Sequence, residues 1–85
     1  MKVVFRPNFL RQYKKLHPAL QKEAKEKIAL FRESPNSSTL KCHKLKGKMK
    51  GSLSFSINYR YRIIYEYENP HRVALLAVGD HDVYS

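Results

Sequence analysis

The chain has 85 residues, a hydrophobic fraction of 42% and a formal net charge of +10. That length makes a single domain, 1–85, with a thin core and modest stability. Cys42 is the only cysteine, which excludes an internal disulfide, and with four scattered histidines it gives no zinc-ligand spacing, so no cofactor is expected.

The charge predicts affinity for a polyanion or an acidic partner and is silent about fold. The first residues, MKVVFRPNF, lack the long apolar core of a signal peptide, and no apolar run approaches a membrane span. The expectation is a soluble protein of the reducing cytoplasm. Six Tyr and four Phe, with no Trp, would supply much of the core area.

Residues 2–6 (KVVFR) read as a short first strand, ended by Pro7. Asn8 suits the N-cap of a helix over 8–17, with Phe9, Tyr13 and Leu16 on one face. Pro18 suits the first turn of a second helix, 18–33, whose stripe is Leu20, Ala24, Ile28 and Phe31. Glu23 and Lys27 are spaced for an i, i+4 pair on its wet face. Ser34-Pro35-Asn36-Ser37-Ser38 stops it. His17 and His71, both beside prolines in turns, read as structural or solvated.

After position 53 the period changes from 3.6 to two. Leu53, Phe55 and Ile57 alternate with Ser52, Ser54, Ser56 and Asn58 in a half-buried strand, 53–58. A turn at Asn58-Tyr59-Arg60 leads to a strand over 61–68, with Tyr61, Ile63, Tyr65 and Tyr67 on one face and Arg62, Ile64 and Glu66 on the other. Asn69-Pro70 turns the chain again. Val73 to Val78 is apolar on both faces and reads as a central strand, 72–78. The order is β-α-α-β-β-β, with an extra short strand possible near 40–45. The fold class is α+β, two helices on one face of a small, twisted, mostly antiparallel sheet. Two helices cover only one face, so the other must be polar or bind something.

The stretch 41–62, KCHKLKGKMKGSLSFSINYRYR, holds Lys41, Lys44, Lys46, Lys48, Lys50, Arg60 and Arg62 and no carboxylate. A charge run is usually a solvated face, but this one feeds an arginine into an apolar strand. The stretch is read as holding a phosphate chain, with Lys44, Lys46, Lys48, Lys50 and Arg60 positioning it. Lysine, with a pKa of ~10.4, is a poor base.

With HKLKG at 43–47, YRIIYEY at 61–67 and VGDHDVY at 78–84, nearly the whole chain resembles the RelE/ParE superfamily of bacterial toxins, and its motifs look closest to the RelE-like branch. The resemblance implies a metal-free endonuclease that cuts mRNA in the ribosomal A site, against the 16S ribosomal RNA, and so inhibits translation. The RNA 2′-hydroxyl attacks the adjacent phosphate and leaves a 2′,3′-cyclic phosphate. A cognate antitoxin would wrap the toxin in a hetero-oligomer, with an acidic segment on the basic surface. Carried over, Arg62 steadies the phosphate, His81 and His43 stand where some members have catalytic histidines, and Tyr84 stacks on a base or assists catalysis. Ser54 and Ser56 depart from members with basic or histidine side chains on that strand. The ParE branch shares the scaffold but inhibits DNA gyrase.

The chemistry of the residues agrees. Such cleavage needs a base for the 2′-OH, an acid for the 5′-oxygen and cations for the charge on phosphorus. Histidine, with an unperturbed pKa of ~6.5, suits the first two. The arginine fork suits the last. Plainer readings stand beside these. Arg62 can pair with Glu66, His81 can be a surface residue between Asp80 and Asp82, Tyr84 can pack its ring on the sheet, and His43 can be a loop residue. Neither Arg62 nor His81 is expected to fill the core. Two other classes remain open, a non-catalytic binder of a protein target such as gyrase and a plain RNA-binding module.

Overall fold

The computed structural model describes residues 1–47 and 51–80. The elements are β1 (Lys2–Phe5), α1 (Pro7–Lys14), α2 (Pro18–Glu33), a 3-10 turn (Ser38–Leu40), β2 (His43–Lys44), β3 (Leu53–Ser56), β4 (Arg62–Asn69) and β5 (Arg72–Gly79). They form one five-stranded sheet in the order β1-β5-β4-β3-β2. Among the described residues only the β1–β5 pairing is parallel. The expected α+β class, the two helices and the additional strand near 40–45 are all present.

The core lies between the sheet and the helices. Phe9, Ala24, Ile28 and Phe31 from the helices meet Phe55, Ile63, Tyr65, Val73 and Leu75 from the strands. Phe31 is central: its ring stacks on Phe55 at 4.6 Å and meets Tyr65 edge-on at 4.7 Å. A helix with a narrow apolar stripe and a strand of period two each bury one face, and these two faces bury each other.

Several boundaries differ from those expected. Pro7 opens α1 as its first helical residue, with extended Arg6 as the N-cap, because proline's missing N–H costs nothing there. Asn8 is therefore inside the helix, and its Nδ2 donates to the Leu76 carbonyl at 3.1 Å. Gln12 Oε1 accepts from the Val78 N–H at 2.8 Å. These contacts lie beyond the end of β1, where β5 has lost its parallel neighbour. An irregularity in the β4–β5 register leaves Leu76 unpaired between Ala77 and Leu75, so two α1 side chains satisfy backbone groups that the ladder does not. It also resets the side-chain parity, which puts both Leu75 and Val78 in the core.

His17 caps α2, its Nδ1 accepting from Ala19 N–H at 3.2 Å. The α1–α2 junction is closed reciprocally: Gln21 Nε2 donates to the Tyr13 carbonyl at 3.0 Å and Tyr13 OH to the Gln21 carbonyl at 3.2 Å. Glu23 does not pair with Lys27; its Oε1 accepts from Asn58 Nδ2 at 3.5 Å. β3 ends at Ser56 because Asn58 folds back, its Oδ1 accepting from the N–H groups of Arg60 and Tyr61 at 2.9 and 2.8 Å. Among the described residues no helix is long and apolar enough to cross a membrane.

Candidate functional site

On the sheet face opposite the helices, β4 presents Arg62, Ile64 and Glu66, as their shared parity predicts. The ladder sets Ser56 opposite Arg62, and Ser54 opposite both Ile64 and His43. Side chains paired in register stand on the same side of a sheet, so Arg62, Ser54, Ser56 and His43 converge. The face is not bare: Ser54, Ile64 and Ala74 are fully buried.

Arg62 is the hub. Its Nε–H donates to Ser54 Oγ at 3.0 Å and Nη1 to Ser56 Oγ at 2.7 Å. Nη2 donates to the Lys41 carbonyl at 2.8 Å and faces His43 Nδ1 at 3.1 Å, with a longer approach of 3.4 Å to the Ser54 carbonyl. Lys41 holds its carbonyl there from a left-handed backbone, φ 49° and ψ 49°, a conformation that costs a non-glycine residue roughly 1–2 kcal/mol. Such a residue persists only where its surroundings over-determine it. Here the Arg62 bond and the Ser38 carbonyl, accepting from Lys41 N–H at 3.2 Å, do so.

Two expectations change. Arg62 forms no ion pair with Glu66. It also does not offer an empty fork: Nε–H, one Nη1–H and both Nη2–H groups have partners within the protein. What Arg62 presents is a fixed charge with one Nη1–H unengaged among the described residues. The serines that hold it are the polar half of the period-two alternation in β3. Ser54 is fully buried and Ser56 nearly so, and a hydroxyl buried without a partner costs roughly 1–3 kcal/mol. Arg62 donates to both hydroxyls.

Lys44, beside His43 on β2, and Lys46, in the loop that follows, are exposed. Arg60, at the turn into β4, lies 3.6 Å from Asp80 and 5.8 Å over the Tyr61 ring. Lys48, Lys50, His81 and Tyr84 lie outside the described residues. In register, Gly79 stands opposite Arg62, and His81 follows two residues later in the sequence. Cys42 Sγ donates to the Pro35 carbonyl at 3.5 Å. Burial raises the pKa of the Tyr65 phenol well above its ordinary value, with the Cys42 thiol and Tyr67 adding and Arg62 opposing. Among the described residues no three His, Cys, Asp or Glu side chains form a metal-binding group.

The ParE-like toxin domain model matches residues 18–85. The chain belongs to that family. This ParE-like toxin domain matches no curated protein sequence. Its fold is that of several solved toxins. The YoeB/ParE toxin from Agrobacterium tumefaciens superposes with a TM-score of 0.77 at 21% identity, over 95% of this chain and 99% of that one. YafQ from E. coli strain BL21(DE3) gives 0.76 at 16% identity, over 98% and 96%. The toxin in the heterotetrameric YoeB-YefM toxin-antitoxin complex from Staphylococcus aureus gives 0.74 at 20% identity, over 95% and 97%.

Proposed function

We propose that this ParE-like toxin cleaves mRNA on the ribosome without a metal and so stops translation. The observation that carries the proposal is the Arg62–His43 pair, 3.1 Å apart on the sheet face away from the helices, beside a lysine loop without carboxylates. In this reaction the RNA O2′ forms a bond to phosphorus and the P–O5′ bond breaks. The products are a 2′,3′-cyclic phosphate and a 5′-hydroxyl. The O2′ proton passes to a base and O5′ gains a proton. A fixed guanidinium offsets the charge that builds on the phosphate oxygens in a site from which water is partly excluded. His43 and His81 are the imidazoles available for the hydrogen-bonding and proton-transfer roles, Tyr84 is the stacking aromatic, and Lys44, Lys46, Lys48, Lys50 and Arg60 hold the RNA backbone.

A toxin at +10 would bind RNA indiscriminately if left bare. A cognate antitoxin with an acidic segment covers it in this proposal. A groove of about 200 Å³ lined by Phe5, Phe9, Leu10, Tyr13, Lys25 and Ile28 gives such a segment an apolar seat with a cation in its wall. Phe5 and Leu10 are each 42% exposed there. The existence of a YoeB-YefM complex among the solved relatives supports a partner of this kind.

Primer extension on an mRNA translated in the presence of the purified protein tests the activity. Cuts inside the reading frame that vanish when ribosomes are withheld are expected. Intact mRNA together with growth inhibition would favour a non-catalytic toxin acting on a protein such as gyrase. Co-purification from the native locus tests the partner, and an abundant, harmless, unaccompanied protein would count against it.

A further inference from the structure

We infer that Arg62 locks His43 in one tautomer, with Nδ1 unprotonated and the proton on Nε2, and that His43 serves the RNA phosphate as a neutral hydrogen-bond donor and not as the base. The inference rests on the nuclease reading above and decides which imidazole does what. A guanidinium carries donors only. Its Nη2 lies 3.1 Å from His43 Nδ1, so that nitrogen must offer its lone pair. In the neutral ring the single hydrogen is therefore on Nε2.

The consequence is chemical. A base needs an open lone pair, and the only one on this ring is taken by Arg62. The O2′ proton must go to another group. His43 is exposed, so its Nε2–H is accessible to a substrate. A neutral imidazole held in this form can act as an electrophile, bonding a phosphate oxygen more strongly as charge accumulates on it. In the step itself O2′ bonds to phosphorus, the O2′ proton passes to a base other than His43, the P–O5′ bond breaks and O5′ takes a proton from solvent. His43 keeps its own.

Ser54 and Ser56 are the positioning residues for this arrangement. Their hydroxyls accept from Nε and Nη1 at 3.0 and 2.7 Å, and the Lys41 carbonyl accepts from Nη2 at 2.8 Å. Acceptors on three sides fix the plane of the guanidinium and leave the second Nη2–H aimed at His43. β2 places His43 in register with Ser54, beside the clamp.

Two measurements test this. Long-range ¹H–¹⁵N spectra of the free protein at about pH 8, above the ordinary histidine pKa, report the tautomer directly. The wild type should show a single Nε2–H pattern for His43, and Arg62→Ala should show the exchanging mixture of a solvated imidazole. Ser56→Ala, a smaller change, should move the pattern part of the way if Arg62→Ala does not fold. An Nδ1–H pattern in the wild type, or one unmoved by these variants, overturns the lock. The second measurement is single-turnover cleavage. His43→Gln keeps a terminal N–H donor and should stay within about tenfold of wild type, whereas His43→Ala should lose ~10²–10³ in rate. Equal losses in both overturn the donor role. The spectra do not depend on cleavage. A protein that cuts no RNA yet shows the single tautomer overturns the nuclease reading, and the donor role with it, and leaves the Arg62–His43 lock standing.

Discussion

Ser56 stands directly opposite Arg62 in the β3–β4 ladder, and its hydroxyl accepts from Nη1 at 2.7 Å. Each residue explains the other. The hydroxyl is nearly buried and needs a donor, and the guanidinium is half-buried and needs acceptors. Arg62→Ala is therefore not silent for folding, although sequence alone gives it no place in the core. It strands the Ser56 hydroxyl, takes a donor from Ser54 and should cost about 1–3 kcal/mol by chemical denaturation. Removing both serines in the Arg62→Ala background should cost much less than removing them from wild type, with a coupling of about 0.5–3 kcal/mol. Strict additivity would show that the three do not act together.

The sequence makes one part of this site visible and hides another, for a physical reason. Parity along RIIYEY assigns Arg62 to the face opposite Tyr65, and the period-two run from Leu53 identifies β3. Both are local patterns. The clamp is not local: Ser54, Ser56 and the Lys41 carbonyl are brought to Arg62 by strand register and by one left-handed residue. Alternating serines on a half-apolar strand look like a wet face, and nothing in their spacing reveals a guanidinium above them. Asn8 and Gln12 were hidden in the same way. Asn8 reads as a cap, and in the fold it and Gln12 complete the backbone bonding of β5 past the end of β1. A parity reset at Leu76 has no signature in VALLAV, where every residue is apolar.

Tyr65 should make the fold fail in alkali. Its phenol is 2% exposed, and burial raises its pKa above the ordinary ~10 of an unfolded tyrosine. Above pH ~10 the unfolded chain releases this proton while the folded one retains it, so the unfolded state binds fewer protons and stability falls as pH rises. The stabilising contribution is fully present below pH ~10, and the slope should approach about 1.4 kcal/mol per pH unit above it. Denaturation midpoints of Tyr65→Phe should be flatter over that range. Identical slopes in the two proteins would show that another group governs alkaline unfolding.

Lys44 and Lys46 are exposed and flank the site on the β2 side. If they hold RNA phosphates, neutralising both should weaken ribosome binding and reduce the slope of log affinity against log salt by about 1.4–1.8, at ~0.7–0.9 per contact. An unchanged slope would assign both lysines to solvation or to the antitoxin.

The remaining prediction concerns the reaction itself. Arg62 supplies charge from a fixed position, and His81 is assigned the proton. Losing an acid–base group typically costs ~10²–10⁴ in rate, so His81→Ala should lose that much in single-turnover cleavage and should abolish growth toxicity. Losing one oriented charge donor costs ~10²–10³ by analogy with an oxyanion-hole donor, and Arg62→Ala should fall in that range once its folded fraction is accounted for. Arg62→Lys discriminates charge from geometry. An ammonium restores the charge, but as a compact group it cannot reach Ser54 Oγ, Ser56 Oγ, the Lys41 carbonyl and His43 Nδ1 together, as the guanidinium does. Lysine should therefore rescue poorly, and the His43 ring beside it should lose its single tautomer. Full rescue by lysine would mean that charge alone suffices and that the clamp is structural. Wild-type rates from both Arg62→Ala and His81→Ala would remove this face from the reaction and leave a toxin that acts by binding.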